Sequence, residues 1–182
     1  IAAGAAGVLV LDVTDPAVPR QLAIIPSADA WDVAQDGMRL FVADAEAGLR
    51  VFDLAVPASP REIAALQVPA VRVSAGKGWA LAVSSAGVTV FDWAEAGSPR
   101  IAVYYRTEWA EDACRDGDRL LVAEGHRGLT VIDFADPSRT RVVSVRRDLY
   151  ASAVSAGEGC VLVAGAGSVR AVKILVPPWL ER

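Results

Sequence analysis

Residues 48–60 read G-L-R-V-F-D-L-A-V-P-A-S-P, and this phrase recurs along the whole chain. It returns from Gly7 as G-V-L-V-L-D-V-T-D-P-A-V-P-R, from Gly87 as G-V-T-V-F-D-W-A-E-A-G-S-P-R, and from Gly128 as G-L-T-V-I-D-F-A-D-P-S-R-T-R. A degraded copy, G-S-V-R-A-V-K-I-L, begins at Gly167. Successive anchor glycines are 41, 39, 41 and 39 residues apart, and Asp12, Asp53, Asp92 and Asp133 hold the same register. Each phrase is a glycine, a short apolar run, an aspartate, and a turn rich in Pro, Ser or Asp, which is the grammar of a strand and its exit turn.

Working outward from residues 48–60, residues 29–35, 39–44 and 61–67 complete a set of four strand-length segments. Asp36-Gly37 separates the first two, and Lys77-Gly78 and Asp116-Gly117 recur at the same place. A helical repeat of this length would need longer segments with 3.6-residue periodicity, and none is present. A period near 40 made of four short strands predicts an all-β chain, a β-propeller of four-stranded blades. The blades are a partial one at 1–27, whole ones at 28–68, 69–107 and 108–148, and a partial one at 149–176. A tail, residues 177–182, follows Pro177-Pro178, which would interrupt strand pairing.

Residues 1–7 align with 42–48, so the repeat register begins inside a second strand, and the last repeat carries three strands. The expectation is the C-terminal part of a larger propeller lacking roughly two to four blades, since closed propellers have about 4–8. The alternative is a compact ring of four or five blades.

Composition narrows the function classes. The chain has 182 residues, 53% of them hydrophobic, enough for a packed core, and a net charge of −4. Nucleic acid is not expected as a partner, because phosphate binding needs a clustered positive field. No apolar run is long enough for a transmembrane helix. Cys114 and Cys160 occupy non-equivalent places in the repeats, which excludes a repeated disulfide or zinc framework. Arg61, Arg100, Arg106, Arg139, Arg141, Arg146 and Arg147 gather in fourth strands, where edge charge discourages sheet-to-sheet pairing.

The pattern G-L-x-V-x-D-x-x-x-P-x-x-P, followed by A-x-D-V-x-x-x-G and L-x-V-A-D, resembles the LVIVD repeat family. The resemblance is clearest at residues 48–60, 30–44 and 7–19, and fades where Ala171-Val172-Lys173 replaces the aspartate. It implies a β-propeller of bacterial or archaeal type, exported or on the cell surface. It brings no catalytic residues.

The recurring aspartates are expected to accept backbone N–H bonds at the strand exits. Asp44, Ser84 and Glu124 fall at equivalent loop positions and are expected to form a solvated rim. Asp44, Glu124 and Asp32 are the candidate metal ligands, although no Asp-x-Asp-x-Asp spacing is present. His126, the single histidine, reads as a surface-loop residue, and no serine sits in a G-x-S-x-G elbow. Trp31 and Trp109 precede inner strands at similar places; packing between blades is the favoured reading, and an aromatic, acidic patch the other. Trp179 lies in the tail. Trp31, Trp109, His126 and Trp179 are the candidate partner-binding residues.

These features predict a non-enzymatic, extracytoplasmic scaffold. It needs no cofactor or catalytic residue, and engages a protein partner, a larger complex or an envelope component. The alternative is a propeller hydrolase, lactonase-like or metal-dependent enzyme with its site at the axial channel mouth.

Overall fold

Strand β4 (Arg39–Asp44, R-L-F-V-A-D) is buried from Leu40 to Asp44, on both faces of its sheet. Leu40 and Val42 point into one cluster with Val8, Ile25, Ala30, Phe52 and Leu54. Phe41 and Ala43 point into another with Val51, Val73, Ala82, Phe91 and Trp93. A continuous apolar run of strand length is what burial on both faces requires, and it hides the two-residue alternation.

The computed structural model describes residues 1–45, 47–93, 99–157 and 160–172. The first sheet pairs β1 (Val8–Asp12) with β2 (Arg20–Ile25). The second runs β3 (Asp32–Asp36), β4, β5 (Gly48–Asp53), β6 (Arg61–Leu66). The third runs β7 (Arg72–Gly76), β8 (Trp79–Ser84), β9 (Gly87–Asp92), β10 (Arg100–Arg106). The fourth runs β11 (Asp112–Asp116), β12 (Arg119–Ala123), β13 (Leu129–Asp133), β14 (Arg141–Arg146). The fifth holds β15 (Ala153–Gly157), β16 (Cys160–Gly165) and β17 (Ser168–Val172). Successive four-stranded antiparallel sheets of consecutive strands make the fold all-β and propeller-like. Trp179 and the tail lie outside the described residues.

Two compact units are formed, one from Ile1–Ser84 and Thr89–Ile101, the other from Ser85–Val88 and Ala102–Arg182. Within each, the same devices join one sheet to the next. In the first unit the Asp32 carboxylate accepts from the Val73 amide at 3.0 Å, and Ala45 forms an antiparallel bridge with Ala70. In the second, Asp112 accepts from the Val154 amide at 2.9 Å, and Gly125 bridges Ala151. Arg72 stands at this position in the third sheet. Replacing Asp112 by Ala removes the acceptor from a partly buried amide and should cost about 1–3 kcal/mol. Hydrogen exchange at Val154 would then speed up, with little change at the outer strand β14.

The corner role expected for the recurring aspartates holds at three of the four. Asp12, Asp53 and Asp133 accept from the amides of Thr14, Ala55 and Ala135, each two residues ahead, at 2.9, 2.9 and 3.1 Å. Arg61 and Arg141, at the start of the outer strands, return to Asp53 and Asp133 at 3.4 and 3.1 Å. These exposed pairs position side chains and add little stability.

Cys114 and Cys160 are both free thiols. Burial, reinforced by the charges of Asp112 and Asp116, pushes the Cys114 thiol up to about 12. It therefore stays protonated near neutral pH, while Cys160 is exposed. Alkylation of the native protein at pH 8 should label Cys160 and spare Cys114 until denaturant is added. Mass spectrometry of the two peptides reads the difference directly.

Candidate functional site

The second strands of consecutive repeats end on a polar residue or one residue short of it: Asp44, Ser84 or Glu124. Solvated rim positions were expected, but these side chains are buried, at 1%, 5% and 4% exposure. The reason lies one strand away. Strand pairing sets Val42 opposite Arg50 and, in the fourth sheet, Val122 opposite Thr130. Position 50 and position 130 are therefore the same place in two repeats, and each side chain folds over the acid beside it.

In the second sheet the acid is neutralised from within. Arg50 Nη1 donates to Asp44 Oδ2 at 3.0 Å and to the Pro26 carbonyl at 2.8 Å, and Nη2 donates to Glu62 Oε2 at 2.7 Å. Its guanidinium also lies 4.9 Å from the Phe52 ring centre. The Asp29 amide donates to Asp44 Oδ1 at 3.1 Å. Burial would raise the Asp44 carboxyl. The nearby Ser27 hydroxyl, short of hydrogen-bond geometry, joins the Asp29 amide and Arg50 in holding it below its ordinary value.

In the fourth sheet the same place is built from neutral groups. Thr107 Oγ1 donates to Glu124 Oε1 at 2.6 Å, and the Thr130 hydroxyl donates to Oε2. The Trp109 amide in turn donates to Thr107 Oγ1 at 3.2 Å. Burial, followed by the charge of Glu124, raises the nearby Tyr105 phenol. Among the described residues no Arg or Lys closes an ion pair with Glu124. A cleft of about 540 Å³ opens beside it, lined by Tyr105, Thr107, Trp109, Arg127 and Thr130. The Arg127 guanidinium stacks 4.8 Å from the Trp109 ring centre.

The remaining candidates separate. Asp32 is used up by its own neighbourhood: Oδ1 accepts from Val33 and Oδ2 from Val73. Among the described residues no three His, Cys, Asp or Glu side chains group to hold a metal. Trp31 and Trp109 do not pack between sheets; they are 61% and 47% exposed. Nor are they equivalent. The Trp31 and Glu111 amides make the same bond, to the carbonyls of Ala43 and Ala123, which puts Trp109 at the place of Asp29. Trp31 Nε1 donates to Asp29 Oδ2 at 2.9 Å. His126 is exposed and meets the Tyr150 ring edge-on at 4.8 Å, while Tyr150 donates to Glu111 at 2.8 Å.

Sequence reasoning passed over Arg50, Thr107 and Thr130. The signal was present: one acidic position is partnered by Arg in one repeat and by Thr in another.

Comparison with known proteins agrees with this architecture. The LVIVD repeat pattern matches residues 27–67 and 116–144. No curated protein matches the chain. Among solved structures, the computationally designed Ika8 protein superposes with a TM-score of 0.72 at 12% identity, over 95% of this chain and 54% of that one. The designed Ika4 protein gives 0.59 at 12% identity, over 80% of this chain and 91% of its own. A chain of the nidogen/laminin complex gives 0.60 at 15% identity, over 86% and 64%. The chain thus spans about half of the first of these and under two thirds of the third. At such identities the likeness is one of fold.

Proposed function

We propose that this chain, built on LVIVD repeats, is a non-enzymatic scaffold that engages a protein partner or envelope component outside the cytoplasm. Its sheets serve as consecutive blades of a propeller, bounded as the repeats are, and that propeller is larger than this chain. One observation carries the reading. Two of the three candidate acids are spent on the fold, Asp32 on two amides and Asp44 on Arg50 and the Asp29 amide. The aromatic surface of Trp31 and Trp109, meanwhile, is turned to solvent. Exposed tryptophan is a common anchor of protein interfaces, contributing large contact area at low entropic cost. No helix among the described residues is long and apolar enough to cross a membrane.

The test places a photo-crosslinking residue beside Trp31 or Trp109 in the native host and follows both adducts and cell fraction. A discrete adduct in the envelope fraction, lost on Trp31→Ala or Trp109→Ala while the circular dichroism is unchanged, supports the scaffold. Adducts that survive both substitutions, or a chain confined to the cytoplasm, would overturn it.

A further inference from the structure

The second and fourth sheets hold the same site in two states, filled and open. In the second, position 50 is Arg, and its guanidinium bonds Asp44, the Pro26 carbonyl and Glu62. In the fourth, each of these places can be matched by register. Thr130 stands for Arg50, Glu124 for Asp44, and Val142 for Glu62, because Phe52 faces Glu62 as Ile132 faces Val142. Arg106 follows Tyr105 as Pro26 follows Ile25, the residues whose carbonyls crowd Gly87 and Gly7. Shortening the side chain from Arg to Thr leaves the volume of a guanidinium and its stem unfilled. The cleft bordered by Arg106, Glu124, Thr130, Val142 and Val145 lies there. Its floor is a carboxylate 4% exposed, held by Thr107 and Thr130 hydroxyls with no cation among the described residues paired to it. A buried carboxylate without a counter-ion favours a cation that can also donate hydrogen bonds.

We infer that this cleft binds a guanidinium group supplied from outside the chain, seated on Glu124 where Arg50 sits on Asp44. The volume, about 540 Å³, is in the range of small-ligand sites, roughly 300–1,000 Å³. Trp109 lines the cleft with Arg127 stacked on its ring, and Ile132 takes the place that Phe52 holds in the second sheet. The rim also carries Arg106, Arg127 and Arg147 against the one carboxylate of Glu108, a net positive edge that would repel a simple cation and attract an anion. The ligand that satisfies both ends bears a guanidinium at one end and a carboxylate at the other. Free arginine and the C-terminal arginine of a polypeptide share this chemistry. The inference goes beyond the scaffold reading and stands without it.

Isothermal titration with three probes decides it: L-arginine, agmatine (which lacks the carboxylate), and a short peptide ending in arginine. L-arginine or the peptide should bind saturably, and agmatine more weakly. Binding of the peptide alone would identify a chain terminus as the source; binding of both would admit the free amino acid. Glu124→Gln, nearly isosteric and still able to meet the two hydroxyls, should weaken binding by roughly ten- to a hundredfold. Thr130→Arg should fill the cleft as in the second sheet and abolish binding, with circular dichroism confirming the fold. No saturable binding of L-arginine or the peptide, or affinities unchanged by both substitutions, would overturn the assignment.

Discussion

Replacing Gly128 by Ala should destabilise the protein by about 4 kcal/mol, combining left-handed strain with a backbone clash. Gly128 has φ +86°, and an added Cβ would lie 1.8 Å from the Arg146 carbonyl oxygen and 2.8 Å from its carbon. Both obstacles are main chain, held in the outer strand by pairing of Leu129 with Arg146. Relief therefore requires β13 and β14 to move apart. Gly117 separates the two effects. It has φ +58° with nothing within 4 Å of a Cβ, so Gly117→Ala should cost only the conformational term, about 1–2 kcal/mol. Urea titration of both variants tests the contrast. Equal losses would mean that the close approach of β14 contributes nothing, and the anchor glycines would then be there for their dihedral angles alone.

That contrast explains what made the fold legible. Gly7, Gly48, Gly87 and Gly128 all have positive φ, and a Cβ added at any of them would lie 2.3 Å or less from a carbonyl oxygen of the following outer strand. A position that admits only glycine survives in every complete repeat, so its 39- to 41-residue spacing could be read without a structure. Gly167, whose Cβ would meet nothing, belongs to the copy in which the pattern degrades. The corner aspartates were legible for a similar reason, since their bonds reach only two residues ahead.

The site was not legible in the same way. Burial of Asp44 and Glu124 depends on side chains arriving from the neighbouring strand and the preceding linker, and the residue that arrives differs between repeats, Arg50 in one and Thr130 in the other. Loop length also shifts: three residues separate Asp44 from Gly48 and Glu124 from Gly128, but two separate Ser84 from Gly87. An acid before a turn looks solvent-facing in sequence, and only strand register puts Arg50 or Thr130 over it. The tryptophans misled for a related reason. Each of Trp31 and Trp109 has acidic residues just after it, Asp32 and Glu111-Asp112, yet the two are two positions apart in register.

Arg50→Met should be the second large effect, a loss of about 3 kcal/mol at neutral pH, because it strands a carboxylate that is 1% exposed. Methionine keeps much of the apolar stem, so the loss reports the charge more than the packing. Arg50 stabilises the deprotonated form of Asp44, whose carboxyl lies below its ordinary value despite the opposing effect of burial. A depressed carboxyl contributes stability that is present above the unfolded value, near 3.9, and is lost as the pH falls through the lower folded one. The deficit of Arg50→Met should therefore be largest at pH 7 and shrink as the pH falls below about 4, where the Asp44 carboxylate begins to take up a proton. Adding Asp44→Ala to Arg50→Met should recover part of the loss, since the stranded charge disappears with its partner. Denaturant midpoints of the two single variants and the double variant, at pH 7 and at pH 3.5, measure the coupling. A double variant no more stable than Arg50→Met at pH 7 would show that Asp44 does not depend on a guanidinium. The filled site of the second sheet would then cease to be a template for the open one beside Glu124.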